Sequence, residues 1–305
     1  MTPSINPNSE IFLVNLQQIE NRMSTAEQQL SSGLRVSVAS DDPDMISSIL
    51  QIRAQIGGVQ QVQQNLSNVT ASVDSGEEAI QQAIQVMDTA TSLATEAAGS
   101  ISTSGQRLQE VPQVQGILQQ LVSLSQTSVN GQYIFSGDQG GSPQYQLAPD
   151  GNSVQLLSWP GPPGQVEDAD GVKISIGLTA QQIFDDRDGN NNPATDNVFG
   201  AVSGLITALQ NNDATGIQTA LTNLQAASAH LNNESSVYGA AQNNLTAAGN
   251  SASQTLVQLQ QQLSNEQDAD VAQASLDLTQ ATTDQQAAMA AEAMLKPQSL
   301  FNFLS

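Results

Sequence analysis

Six apolar residues near the start of the chain keep strict time. Phe12, Leu16, Ile19, Met23, Ala26 and Leu30 follow one another at spacings of 4, 3, 4, 3 and 4. This is a heptad seam: on a helix it gathers the apolar side chains into one stripe that must be covered by another helix. The stretch "SSGLRVSVASDDPD" breaks it. Within that stretch Asp42 is placed to cap a new helix, with Pro43 at its first position and Asp44 in its first turn. A second seam starts at once with Met45, Ile49, Ile52, Ile56, Val59, Val62, Leu66, Val69 and Val73, and reaches Ile80 beyond Gly76. It predicts one long helix from Pro43 to about Ala98, with Gly57-Gly58 marking a kink or a close packing. "GSISTSGQ" ends it, and a third helix carrying Val114, Leu118 and Leu121 is expected to run to about Asn130.

The middle of the chain has another rhythm. "NGQYIFSGDQGGSPQYQLAPDGNSVQLLSWPGPPGQVEDADGVKISIGL" reads as short strands, with "PDGN" as a hairpin turn and "PGPPG" as a rigid loop. Tyr133, Tyr145 and Trp159 belong to it, and Trp159 is expected in a small core. Helical pattern resumes at "DNVFGAVSGLITALQ" and continues through Ile217, Leu221, Leu224, Ala227 and Leu231 to Leu256, Leu259 and Leu263. After the breaker "SNEQDAD", a last helix sets Val271, Ala274, Leu278, Ala281, Gln285, Ala288 and Leu295 at heptad spacing. The organisation is nested. Terminal helices in 1–42 and 267–305 flank long helical stretches in 43–131 and 196–266, which flank a β-rich insertion in 132–195. The expected fold is mainly α: a long antiparallel helical rod or coiled coil, both termini at one end, with a small β-rich insertion domain.

Seams this thin raise the question of what holds the ends. The first seam offers five large apolar side chains against the ordering of some thirty residues, and the last helix answers mostly with alanine. Both ends are therefore expected to be loose in a free monomer and to fold when copies pack together. The chain then finishes on "SLFNFLS", where Leu300, Phe301, Phe303 and Leu304 would be an aggregation liability if left bare. A formal net charge of -22 makes nucleic acid and anionic membranes poor partners. There is no cysteine, hence no disulfide or thiolate metal site. The first basic residue is Arg22, so the start lacks the basic and apolar regions of a secretory signal, and no apolar run is long enough to span a bilayer.

Reactive constellations are sparse. The single histidine, His230, shares a helix face with Glu234, but with no second His or Cys the pair completes no zinc site and reads as a solvated face. Asp186, Asp188 and Asn190 in "DDRDGNNNPATDN" have calcium-loop spacing, yet Asn191 stands where glycine is required and Asn197 where glutamate is required. One histidine and no nucleophile elbow leave no Ser/His/Asp catalysis. No catalytic, cofactor or metal residue is assigned.

Two long stretches carry a resemblance. "LSSGLRVSVASDDPDM", after an amphipathic helix, resembles the N-terminal signature of bacterial flagellins and their relatives, and "DADVAQASLDLTQATTDQQAAMAAEAMLKPQSLFNFLS" resembles the matching C-terminal signature. "NGQYIFSG", "GLTAQQIF" and the proline of "SDDP" are similar to the hook-filament junction members of that family. The resemblance implies a non-enzymatic, self-assembling structural protein with no cofactor. It would be exported unfolded by the flagellar type III route and placed outside the cell where hook meets filament. Its implied partners are copies of itself, the hook-side junction protein, flagellin and an export chaperone, without nucleic acid or membrane insertion. The residues that would form its assembly interface are Phe12, Leu16, Ile19, Met23, Leu30, Val271, Leu278, Leu295, Leu300, Phe301, Phe303 and Leu304, with Asp42 and Pro43 as the cap of the long helix. The alternatives are flagellin itself, a secreted coiled-coil protein of a related export system and, last, an enzyme carried in the insertion.

Overall fold

A computed structural model describes residues 7–99 and 102–294. Its elements run α1 (Pro7–Ser32), α2 (Pro43–Ala98), α3 (Ser104–Ser125), β1 (Ser128–Val129), β2 (Gln132–Tyr133), β3 (Tyr145–Leu147), β4 (Val154–Leu156), β5 (Gln165–Glu167), β6 (Lys173–Ser175), α4 (Ala180–Phe184), α5 (Val198–Gln210), α6 (Ala214–Gln267) and α7 (Val271–Met294). The chain is mainly helical, and its strands form three antiparallel pairs: β1 with β2, β3 with β4, and β5 with β6.

Short polar side chains set the helix starts. Asp42 Oδ1 accepts from the Met45 N–H at 3.2 Å, Asp213 Oδ1 from the Thr215 N–H at 3.0 Å, and Asp270 Oδ1 from the Gln273 N–H at 3.0 Å. Each occupies a backbone donor that the first helical turn leaves without a partner. Thr103 with Gln106, and Thr179 with Gln182, form reciprocal capping boxes on α3 and α4. α1 stops at Gly33, whose φ of +72° no β-carbon favours and whose N–H returns to the Gln29 carbonyl at 2.8 Å.

α3 ends at Ser125, short of the expected Asn130. The reason is local. Asn130 and Gly131, at φ +52° and +79°, form a two-residue turn that pairs Ser128 with Tyr133 and Val129 with Gln132. The "PDGN" turn joins β3 and β4 in register Tyr145 with Leu156 and Leu147 with Val154, with Gly151 at φ +71°.

The chain divides into two compact units, residues 1–58 with 255–305 and residues 59–254. In the second unit α2 and α6 run antiparallel, joined by Gln63 to Ser253 at 3.1 Å, Gln81 to Ser235 at 2.9 Å, and Gln242 to Asp74 at 2.9 Å and Glu77 at 2.8 Å. The core of this unit gathers the Leu, Val and Ala stripes of α2, α3, α5 and α6 around five aromatic rings. Phe135 meets Phe184 and Tyr238 edge to face, Phe184 stacks on Phe199 at 5.7 Å, and Phe199 lies 5.2 Å from Tyr145. Gly76 lets the Tyr238 ring against the α2 backbone: a β-carbon there would stand 2.5 Å from it. Gly57 and Gly58 have open space around them, so close packing does not account for that pair.

Candidate assembly interface

In the first unit α1 and α7 lie antiparallel and packed together. The α1 stripe faces this contact: Ile19 and Ala26 are buried, and Phe12, Leu16, Met23 and Leu30 are half-buried. α7 answers with buried Ala274 and Ala281 and half-buried Leu278 and Ala288. Small side chains opposite large ones let the helices approach closely, but the apolar area covered is modest. Arg22 Nη2 donates to Asp284 Oδ2 at 2.8 Å across the pair. Hydrogen bonds from Arg22 and Gln280 hold the Asp284 carboxyl below its usual range.

At the base of the pair the chain is clamped by backbone. Arg35 N–H donates to the Gln267 carbonyl at 2.7 Å, and Ala269 N–H to that of Gly33 at 2.9 Å. The Arg35 guanidinium reaches both the Glu266 carbonyl at 2.7 Å and the Asp42 carboxylate at 3.0 Å. One arginine thus ties the end of α6 to the cap of α2. Asp41 Oδ2 accepts from the N–H groups of Val38 and Ser37, both at 2.9 Å, and these bonds lower its pKa.

The heptad stripe is therefore engaged within the chain. Val271 stands outside it, 55% exposed. Leu295, Leu300, Phe301, Phe303 and Leu304 lie outside the described residues. Among the described residues, the exposed large apolar side chains of this pair are a different set: Ile11, Leu13 and Val14 on α1, and Leu276, Met289 and Met294 on α7, besides Val271. Sequence reasoning passed over these because they fall off the seam. The signal was present in the run "IFLV" at 11–14, which is apolar on more than one helix face. Antiparallel pairing puts residues 11–14 of α1 toward the same end of the pair as Met289 and Met294 of α7.

The remaining singled-out residues have structural work. His230 is not on a solvated face: its side chain is 12% exposed. Its Nε2 donates to the Gln182 carbonyl at 2.8 Å, while Nδ1 faces Asp196 at 3.8 Å and Glu234 at 3.7 Å. Its hydrogen bond latches α6 to α4. Burial raises the Glu234 pKa, opposed by His230 and reinforced by Asp186 and Asp196. In the acidic loop, Asp188 Oδ1 accepts from the N–H groups of Asn190 at 2.9 Å and Asn192 at 2.8 Å. Asp185 holds Tyr145, Arg187 and Asn197. These two carboxylates brace their own surroundings, and no group of three or more His, Cys, Asp or Glu suited to a metal occurs among the described residues. Trp159 is 50% exposed rather than core, with the Arg187 guanidinium 5.5 Å over its ring. No helix among the described residues is long and apolar enough to cross a membrane.

Comparison with known proteins gives a consistent set. Residues 4–140 match the bacterial flagellin N-terminal helical region and residues 221–304 the C-terminal helical region. Flagellin B of Helicobacter pylori is 29% identical over 116 residues, 38% of this chain and 23% of that protein, so the match spans about a quarter of the length of the curated relative. A Vibrio parahaemolyticus chain assigned as a flagellar hook-associated protein aligns with TM-score 0.65 and 18% identity, over 75% of this chain and 100% of its own. The flagellar junction protein FlgL of Legionella pneumophila aligns with TM-score 0.53 and 13% identity, over 66% of this chain and 99% of its own. At these identities the two structures establish a shared fold.

Proposed function

Because the chain belongs to the bacterial flagellin family, both of whose terminal helical regions it carries, we propose that it is a structural subunit of the flagellum that joins hook to filament. The observation that carries this reading is one of extent. The hook-associated and junction chains are covered over 100% and 99% of their length, whereas the flagellin match reaches 23% of its relative. On this reading the subunit has no enzymatic activity, leaves the cell by the flagellar export route, and contacts copies of itself, the hook-side junction protein and flagellin. The α1–α7 pair is its assembly element. Its modest internal contact is completed by neighbours over Ile11, Leu13, Val14, Leu276, Met289 and Met294. The apolar residues after Gln298 are assigned to assembly as well.

The filament subunit is the second reading, favoured by the sequence match to Flagellin B. Deleting the gene separates the two. A junction subunit, once lost, leaves intact hooks without filaments while flagellin accumulates in the medium, and it is a trace component of purified flagella. A filament subunit dominates their protein mass. Complementation with a chain ending at Gln298 tests the assembly surface: it is expected to appear in the medium and fail to restore filaments. Full-length filaments from that truncated chain would overturn the role given to the end.

A further inference from the structure

Sulfur is distributed unevenly in this chain. It has six methionines and no cysteine. Met87 is fully buried in the core of the second unit, and Met23 and Met45 are half-buried. Met289 and Met294, in the last two turns of α7, are 58% and 85% exposed. Both stand off the stripe of Ala274, Leu278, Ala281 and Ala288 with which α7 meets α1.

An exposed thioether is open to peroxides. A sulfur lone pair attacks one oxygen of hydrogen peroxide. A sulfur–oxygen bond forms as the oxygen–oxygen bond breaks, and the departing hydroxide takes the remaining proton and leaves as water. The sulfur is oxidised to a sulfoxide, and the peroxide is reduced. Thiols would compete for the oxidant, but this chain has none. Access then decides among the methionines. The product exchanges a flexible apolar side chain for a polar one with a strong acceptor oxygen. In water that oxygen is solvated and costs the monomer little. Under an apolar neighbour it has no donor, and its burial is unfavourable.

We propose that Met289 and Met294 are an oxidation site for peroxides, at which conversion to methionine sulfoxide switches the end of α7 from an assembling to a non-assembling state. The assembly half rests on the function proposed above, in which neighbouring subunits cover these two side chains. The fold is not part of the switch. α7 buries Ala274 and Ala281 in its pair, so oxidation of two exposed residues leaves that contact in place. The change is reversible: methionine sulfoxide reductases return the thioether, one class for each sulfoxide epimer.

The test uses the full chain as a verified monomer, treated with hydrogen peroxide and followed by peptide mass. Cleavage after Glu292 puts Met289 and Met294 in separate fragments. Both are expected to gain oxygen about tenfold or more faster than Met87, with Met23 and Met45 between. The melting midpoint is expected to stay where it was. The treated chain is then offered, followed by flagellin, to hooks isolated from the deletion strain. Filament growth is expected to fall about tenfold or more below that given by the untreated chain. It should return after incubation with both classes of reductase, and it should survive peroxide in a chain carrying Met289→Leu and Met294→Leu. Oxidation no faster than at Met87 would overturn the site. Filaments grown equally well from the oxidised chain, or lost equally in the leucine variant, would overturn its effect on assembly. So would a falling melting midpoint, which would locate the damage in the fold. If the untreated chain starts no filament, the proposed function fails instead and takes the switch with it, while the peptide masses still decide the oxidation site.

Discussion

The Phe135 and Phe184 rings meet edge to face, centroids 5.9 Å apart with 79° between their planes. They come from "NGQYIFSG" and "GLTAQQIF", with strands β3 to β6 between them in sequence. The Ala180 N–H also donates to the Phe135 carbonyl at 2.7 Å, so the two landmarks are fastened by backbone as well as by ring. Both rings are fully buried. The two motifs that resemble those of hook-filament junction proteins thus meet each other in the core, on either side of strands β3 to β6.

Truncating either ring should be expensive. Phe184→Ala or Phe135→Ala is expected to cost about 3–5 kcal/mol, while Phe→Leu at either site should cost less because more of the volume is kept. Urea unfolding followed by circular dichroism measures both. Losses below about 1 kcal/mol for the alanine variants would show that the cluster does not anchor the insertion.

The cap of α2 is a second point of leverage. Asp42→Ala removes the acceptor of the Met45 N–H and the partner of Arg35. The cap is worth about 0.5–2 kcal/mol, and the exposed ion pair adds little. The melting midpoint should fall, whereas Asp42→Asn should keep most of the cap. Equal losses in both variants would assign the effect to the ion pair instead.

How much of this was legible beforehand divides along a physical line. The start of α2 at Pro43, its end at Ala98 and the α1 stripe were readable because caps, breakers and helical periodicity act over a few residues. His230 was misread because what covers it is distant in sequence: the Gln182 carbonyl is 48 residues away. Trp159 failed in the opposite sense. Aromatic character predicts a core, but a loop of Pro160, Gly161, Pro162, Pro163 and Gly164 gives it no regular element to carry it inward. Asn130-Gly131 was a hairpin turn lost inside an apparent helix end, and α3 was drawn too long for that reason. As for the proposed interface, the seam named the helices that pair, while the exposed apolar residues off the seam had no period to reveal them.

Acid should act differently on the two units. The Asp41 and Asp284 carboxyls, both in the first, have folded pKa values lowered by their hydrogen bonds. Their contribution is complete above the unfolded value of about 3.9 and is lost as pH falls through the folded value. The second unit holds one carboxyl of the same kind, Asp188, lowered by hydrogen bonds from Asn192 and Asn190. Its Glu110 and Glu234 instead have raised pKa values, chiefly from burial. What they contribute is present below the unfolded value of about 4.3 and disappears as pH rises through the folded one. Between pH 5 and 3, melting followed at amides of each unit should show α1 and α7 weakening first, and Asp41→Asn should flatten that response. A first unit as resistant to acid as the second would contradict this assignment.

Hydrogen exchange probes the proposal that the ends depend on neighbours. In a verified monomer, amides from Phe12 to Leu30 and from Val271 to Met294 are expected to exchange far faster than those around Leu118, Leu205 and Leu224, which are fully buried. Protection of α1 equal to that of α5 would mean the pair is stable alone and gains nothing by assembly.

The clamp that joins Arg35 to the end of α6 also sets an order in time. Its partners are 231 residues apart. At the usual pace of translation, about 5–20 residues per second, the first helix is made about 10–50 s before the residues that hold it exist. Closing so long a loop is an entropic cost that can be met only once residues 266–269 have been made. Residues 7–35 therefore wait, without that clamp, until the end of α6 has been made.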